Sequence, residues 1–294
     1  MVDAALGRRI ELTLGRCAAG YARAHRARFP QHGAEVLELG SLGSSGSSGS
    51  SGADGLAVWG SRFGAPNVSR VFALGVRGPV DRDQLARAEA FYEQRESAIT
   101  VTTSPWTDPS LFALLAGEYR IAQLDNVLVR SLAKDGTSVE PAVRAPPGVS
   151  IARVPRDGAV AWGALVRAGF GAEADDAHAA TIDGVFDAPE SHTTSLFTAS
   201  VDGVPAGGAA VTVEDGVAFF FATATVAKYR RRGVQGALVA ARLAHARDRG
   251  ADLALVVTAP GSASEQNLEG RCGFRVAYTQ TICVKDRRRE ISRN

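Results

Sequence analysis

At roughly 100–200 residues per domain, the 294 residues of this chain suit two modest domains or one large one and exclude a peptide or fibre. Hydrophobic residues make up 45% and charged residues 22%, the composition of a chain that buries an ordinary core, so disorder throughout is excluded. The formal net charge of +2 lacks the positive excess that duplex binding needs, and no nucleic acid is expected as a partner.

A long helix is expected over about Ala4 to Arg28, followed by strands near 35–39 and 56–60. Between those strands lies Ser41 to Gly52, SLGSSGSSGSSG, a tract too polar to be ordered by burial. It reads as a loop at a hairpin tip, either native or an engineered spacer. A strand over 71–76, a helix from Asp81 to Arg95, a strand over 98–103, a helix over 109–117 and a strand over 123–131 complete the first part. Asp81 and Asp108 supply N-cap chemistry to the two later helices, and Pro109 suits a first helical turn. Residues 133–148 combine Pro, Gly and charge without periodicity, as a linker does.

After the linker come a strand over 149–154, helical stretches over 157–169 and 174–186, and strands over 194–201, 207–213 and 217–225. A helix over 234–249, a strand over 253–258, a helix over 262–271 and a strand over 274–284 close the chain. Each half ends strand, strand, strand, helix, strand, helix, strand, the mark of a divergent internal duplication. The expected division is 1–132, a linker at 133–148, and 149–294.

No apolar run is long enough to span a bilayer, and the N-terminal MVDAALGRRIELTLGR lacks the basic-then-apolar order of a secretion signal. The expected location is the cytoplasm, with no membrane partner. Cys17, Cys272 and Cys283 show no metal-ligand spacing and read as reduced, mostly buried thiols. Only Lys134, Lys228 and Lys285 are lysines, so arginine clusters such as Arg287 to Arg289 carry little weight and read as a solvated tail.

The segment Phe219 to Gly250 carries the chemistry. An aromatic, β-branched strand enters an Arg/Gly turn, which opens a helix that Gly250 ends. The first turn of a helix leaves N–H groups unpaired beside a partial positive charge, and Gly233 and Gly236 allow a phosphate close to the backbone. Arg231 and Arg232 add charge there. Neither GxGxxG nor GxxxxGK[ST] occurs in the chain. Arg230-Arg231-Arg232-Gly233-Val234-Gln235, followed by Gly236-Ala237, resembles instead the acetyl-coenzyme A loop [RQ]xxGx[GA] of the GCN5-related N-acetyltransferase (GNAT) superfamily, with Gln235 departing from the last position. The resemblance extends over about 149–284, through the apolar strand Asp252 to Thr258 and the helix ending in Gly273-Phe274.

The resemblance implies an α/β (α+β) fold of two GNAT-like domains, each a mixed, largely antiparallel sheet flanked by helices. Acetyl-CoA is the implied co-substrate, with no metal. Backbone groups of Thr223, Ala224 and Thr225 are expected to bond the pantetheine arm, and Arg230, Arg231, Arg232, Gly233, Val234, Gln235, Gly236 and Ala237 to hold the pyrophosphate. The family's tyrosine acid falls on Glu269, its asparagine on Ser262 with Asn267 near but out of step, and the strand glutamate of some members on Phe219, which cannot take a proton. Candidates for the proton route are Tyr278 and Glu269, then Glu214, Asp215 and His192. Cys272 reads as a buried thiol, and Phe219, Phe220 and Phe221 must divide between the two strand faces.

In the first half the corresponding turn, Gly75 to Asp81, lacks the motif; Pro79 removes an amide and Asp81 would repel a phosphate. It resembles a degenerate GNAT-like domain without cofactor, and the whole resembles the tandem members of the superfamily. The implied activity is acetyl transfer from acetyl-CoA to the amine of a small molecule or peptide, by a monomer or homodimer. The alternative is an acyl-CoA-binding pseudoenzyme with a regulatory or structural role.

Overall fold

The computed structural model describes residues 2–40, 55–59, 68–132, 145–171 and 194–286. The tract 41–52, most of the linker, the helical stretch expected over 174–186, His192 and Arg287 to Arg289 lie outside them. Among the described residues no helix is long and apolar enough to cross a membrane, and no group of His, Cys, Asp or Glu could hold a metal ion.

Helix α1 (Ala4–Arg28) opens the chain; the Asp3 side chain accepts from the Leu6 amide and caps it. The first half continues with β1 (Glu35–Glu38), β2 (Leu56–Trp59), β3 (Val71–Phe72), α2 (Arg82–Glu93), β4 (Ile99–Thr103), α3 (Pro109–Leu115) and β5 (Arg120–Ser131). The second holds β6 (Val149–Arg153), α4 (Ala159–Phe170), β7 (Thr194–Val201), β8 (Val204–Glu214) and β9 (Val217–Thr225). It ends with α5 (Val234–Asp248), β10 (Leu253–Thr258), α6 (Ala263–Cys272) and β11 (Arg275–Lys285). Caps and periodicity place these elements close to expectation. The strand expected over 71–76 is the exception, because Ala73 turns to φ +57° and Gly75 to φ +77° just after β3. Residues 73–76 are apolar because they are buried, not because they pair in the sheet.

Among the described residues eleven strands form one sheet in the order β1-β2-β3-β4-β11-β5-β10-β9-β8-β7-β6. Of their pairings, β3–β4 and β9–β10 run parallel and the rest antiparallel. The two halves therefore repeat one plan, with their last strands exchanged: β5 lies between β10 and β11, and β11 lies between β5 and β4. Each half is completed by a strand of the other.

Helices cover both faces. Leu238, Val239 and Leu243 of α5 and Leu268 of α6 pack on one face with Leu128, Ala254 and Phe220, and α2 and α3 continue that layer over the first half. Helix α1 lies on the opposite face and crosses the seam. Its Ile10 and Leu14 pack on Val127, Val217 and Leu255, and its Ala19 and Ala22 on Leu56 and Phe72. Helix α4 shares this face, with Trp162 and Val166 against Leu196 and Ala210. Beneath α1 the seam is polar: Glu11 accepts from Tyr278 and Gln280, and Arg70 pairs with Asp125 at 3.3 Å.

Candidate active site

Strands β9 and β10 pair over only three positions, Val217 with Leu253, Ala218 with Ala254 and Phe219 with Leu255. Beyond them β9 runs on to Thr225 along β8, while β10 runs on to Thr258 along β5. The sheet therefore opens into a wedge between the carboxyl ends of two parallel strands, the place where open α/β sheets receive ligands. Along its β9 side, residues 220–225 have no ladder partner on β10. A β-bulge interrupts the β8 side of this stretch: Ala224 pairs with Gly208 and Phe221 with Ala210, so Ala222 and Thr223 together face Ala209. Ala222 sits at φ +47°, a conformation that an L-residue adopts at a cost of about 1–2 kcal/mol.

The turn after β9 delivers α5 to the mouth of the wedge. Arg231 is held at φ +62° and Gly233 at φ +79°; a Cβ on Gly233 would collide with the Pro146 ring. Gly233 is the N-cap residue, and no side chain caps α5. The positive end of its dipole therefore faces the wedge without an anionic side chain of its own. Helix α6 begins on the other bank, capped by Ser262, whose Oγ accepts from the Glu265 amide. Gln235 Nε2 donates to Ser264 Oγ at 3.1 Å and so ties the first turns of α5 and α6 across the mouth. Below that tie, the buried Glu265 accepts from Asn126 Nδ2 at 2.5 Å and from the Gly261 amide, and Asn126 Oδ1 accepts from Thr279 at 2.7 Å. Asn126 belongs to β5, so the exchanged strand brings a residue of the first half into the floor of this site.

Each expected residue has a definite place. Thr223, Ala224 and Thr225 lie on the open stretch of β9, and Arg230 to Gly236 form the turn and the first turn of α5. Arg230 donates to the carbonyls of Thr225 and Gly169, binding β9 to α4, and Arg232 pairs with Asp202 at 3.1 Å. Arg231 is exposed. The Val234 side chain is buried in the core, and the Ala237 amide already donates to Gly233 O at 3.0 Å within the helix. Asn267 directs its amide toward Cys272 Sγ at 3.8 Å, a turn away from the mouth.

The candidates for the proton route do not gather at the wedge. Tyr278 and Glu269 are associated with β11, which β5 separates from β10. The Tyr278 hydroxyl is buried and donates to Glu11 Oε1 at 2.6 Å; burial, then the Glu11 charge, pushes its pKa up. Glu269 accepts from the Val276 amide at 3.3 Å at the turn into β11. Glu214 and Asp215 bind Arg16 at 2.8 and 2.7 Å at the β8–β9 turn, the opposite end of β9 from the wedge mouth. Cys272 is buried, and burial raises its pKa, which suits an inert thiol. The three phenylalanines divide as expected, with Phe220 packed against Phe274 on the α5 face and Phe219 stacked on Phe221 on the other.

Three features were missed from sequence. Ser262-Ala263-Ser264-Glu265 has the spacing of a capping box, which signalled that Glu265 turns back on its own helix start. Nothing local signalled Asn126 or the Gln235–Ser264 tie, which depend on pairing between distant strands and helices.

Residues 162–274 match the sequence profile of the acetyltransferase (GNAT) family. The fold resembles a GCN5-related N-acetyltransferase from Kribbella flavida, at 19% identity and a TM-score of 0.59, over 91% of this chain and 95% of that one. It also resembles a tandem GNAT protein from the clavulanic acid biosynthesis pathway, at 18% identity and a TM-score of 0.53, over 70% and 69% of the two chains. FemX matches at 11% identity and a TM-score of 0.53, over 90% of this chain and 91% of that one. No curated protein sequence matches the chain.

Proposed function

From the premise that residues 162–274 form a domain of the acetyltransferase (GNAT) family, we propose that the chain transfers an acetyl group from acetyl-CoA to an amine. The observation that carries this reading is the wedge between β9 and β10 with the uncapped start of α5 at its mouth. The residues suit the coenzyme: amides from Arg231 to Gly236 would hold the pyrophosphate, and backbone groups of Thr223 to Thr225 would bond the pantetheine arm as an added strand. When bound, acetyl-CoA supplies an activated thioester.

The chain's own work is then positioning. The bulge at Ala222 and Thr223 frees backbone groups from the β8 ladder beside the wedge, where they can polarise a carbonyl. Asn126, Glu265 and Thr279 brace the floor, so that orientation contributes most of the rate. The first half takes no coenzyme in this reading; it supplies β5 and α1 and walls the site.

A second reading, acyl-CoA binding without transfer, is favoured by one observation: Tyr278 and Glu269 are both engaged away from the wedge. Calorimetric titration with acetyl-CoA, paired with thiol release over a panel of primary amines, separates the two. Binding with amine-dependent thiol release is the expected result. Binding without release at any amine supports the second reading, and no binding removes both.

A further inference from the structure

Strand β5 outruns the strand beside it. It pairs with β10 only from Asn126 to Ser131, but with β11 as far as Arg120. Beyond Thr258 the chain turns through 259–261 into α6, so residues 120–125 keep one edge that no strand or backbone hydrogen bond meets among the described residues. That edge begins at the wedge: the slot beyond Thr258 is bounded by β5 on one side and by the open stretch of β9 on the other. Residues 120–124 are exposed, Ile121 at 67% and Leu124 at 48%. Both stand on one face of the sheet, because Leu124 pairs with Thr281 and Ile121 with Cys283, which packs with α2 and α3. A β-bulge brings this about. Ala122 is the extra residue, so the three-residue step from Leu124 to Ile121 spans only two residues of β11. Asn126, opposite Thr279 and bonded to Glu265 of α6, starts the same row.

An open strand edge with apolar side chains at the strand period is a template for a polypeptide in extended form. Direction then fixes which end of that polypeptide reaches the chemistry. A strand added here antiparallel to β5 runs the same way as β10, so its N-terminus lies beside Thr258 at the wedge, whereas a parallel strand would bring its C-terminus there. Resting on the acyl-transfer reading, we infer that the acceptor is the N-terminal α-amine of an extended peptide that adds a strand to 120–125 of β5. Its first residue lies beside Asp125, and its second and fourth side chains cover Leu124 and Ile121. The α-amine also suits the site chemically. With an ordinary pKa of about 7.7–8.0, roughly a third of it is neutral near pH 7.5, against about 0.1% of a lysine amine. It therefore sheds its proton to water without a carboxylate at the position of Phe219. The nitrogen then forms a bond to the acyl carbon, and the carbon–sulfur bond breaks. Sulfur leaves as the coenzyme A thiolate, and the second proton lost by nitrogen passes to water and then to that thiolate.

The test uses the full chain and a hexapeptide amide with a free N-terminus, leucine at its second and fourth positions and alanine elsewhere. Two further forms carry backbone N-methyl groups, one at positions 3 and 5, the other at 4 and 6. Amides alternate in direction along a strand, so only one of the two sets faces β5. We expect that form to lose about tenfold or more in kcat/KM for thiol release, and the other to stay within about threefold of the parent peptide. Leu124→Ser and Ile121→Ser, both at exposed positions, should each raise KM for the peptide by about 3- to 10-fold with acetyl-CoA affinity unchanged. An equal loss for the two N-methylated forms, or acylation of 2-phenylethylamine as efficient as that of the peptide, would overturn the inference while leaving acyl transfer standing. A homodimer seen by sedimentation and dissociated by either serine variant would assign the edge to a second copy and overturn it too. If acetyl-CoA binds but no amine is acylated, the transfer reading falls and amide chemical shifts decide the edge. Shifts of residues 120–125 on adding the peptide keep the strand site, and their absence removes it. Failure to bind acetyl-CoA at all removes the transfer reading and the inference with it.

Discussion

Helices α2 and α5 occupy the same slot in the two halves, each following a run of three consecutive strands and returning to a strand parallel to the last of them. Their first turns are built for opposite ends. Helix α2 is closed: Asp81 accepts from the Gln84 amide at 2.8 Å, Gln84 Oε1 accepts from the Asp81 amide at 3.1 Å, and Gln84 Nε2 donates to Gly40 O. Helix α5 starts at a glycine with no side-chain cap, among arginines. The wedges differ in the same sense. In the first half the chain fills its own gap with buried Leu74, Val76 and Val80, and the Asp108 amide donates to Gly75 O across it at 2.8 Å. In the second half the gap beyond Phe219 has no such filling from the β9–α5 turn. On the proposed reading, one fold slot serves as packing in the first half and as an anion site in the second, according to whether the helix satisfies its own first turn.

The sharpest test reverses charge at the open turn. Arg231 is exposed and makes none of the carbonyl bonds that Arg230 makes, so Arg231→Glu should leave the fold intact. A charge-assisted hydrogen bond contributes about 1.5–3 kcal/mol, and acetyl-CoA affinity measured by calorimetry should fall by roughly 10- to 100-fold. Gly233 is a poorer probe, because any side chain there meets Pro146 and an unfavourable φ as well as the ligand. The matching change Arg77→Glu in the first half should leave affinity within about twofold. Native mass spectrometry should count one coenzyme per chain; two would erase the contrast between the halves.

Much of this contrast was legible because it is local. Asp81 and Asp108 before helical runs, Gly233 before α5 and Gly250 after it each act through their own backbone neighbours, and a reader of the chain sees those neighbours. The exchange of β5 and β11 left no such trace, since strand pairing across more than a hundred residues depends on the whole sheet. The buried charges were hidden for the same reason. Glu11 and Arg242 sit on helices whose apolar neighbours predict a core face, and only the structure supplies their partners: Tyr278 and Gln280 for one, the Ala210 carbonyl and the Phe220 ring for the other. The run 73–76 misled because burial without pairing looks like a strand in sequence.

A smaller effect is expected from opening the closed helix. Asp81→Ala removes the cap of α2 and should cost about 1 kcal/mol in denaturant-measured stability. Coenzyme affinity and stoichiometry should not change, because the first-half wedge stays filled by its own side chains. Appearance of a second coenzyme in this variant would mean that the cap alone, not the packing behind it, keeps the first half from binding.

The smallest expected effect on activity concerns the seam, and it decides whether the chemistry stays within the wedge. Burial raises the pKa of Glu11, opposed in part by its hydrogen bonds from Tyr278 and Gln280. The folded chain therefore holds this proton to higher pH than the unfolded chain does. Stability should fall as pH rises from the ordinary glutamate value of about 4.3 through the folded value, since the native state binds the extra proton. Urea unfolding followed from pH 4 to 8 should show that decline in the parent and its loss in Glu11→Gln. Tyr278→Phe deletes a donor that favours the charged carboxylate, so the decline should extend to higher pH. The same variant should keep kcat within about threefold, because the hydroxyl is committed to Glu11 beneath α1. A fall of about 100-fold with unchanged acetyl-CoA affinity would instead make Tyr278 the proton donor. The exchanged strand β11 would then carry part of the catalysis, and the division of labour between the two halves would have to be redrawn.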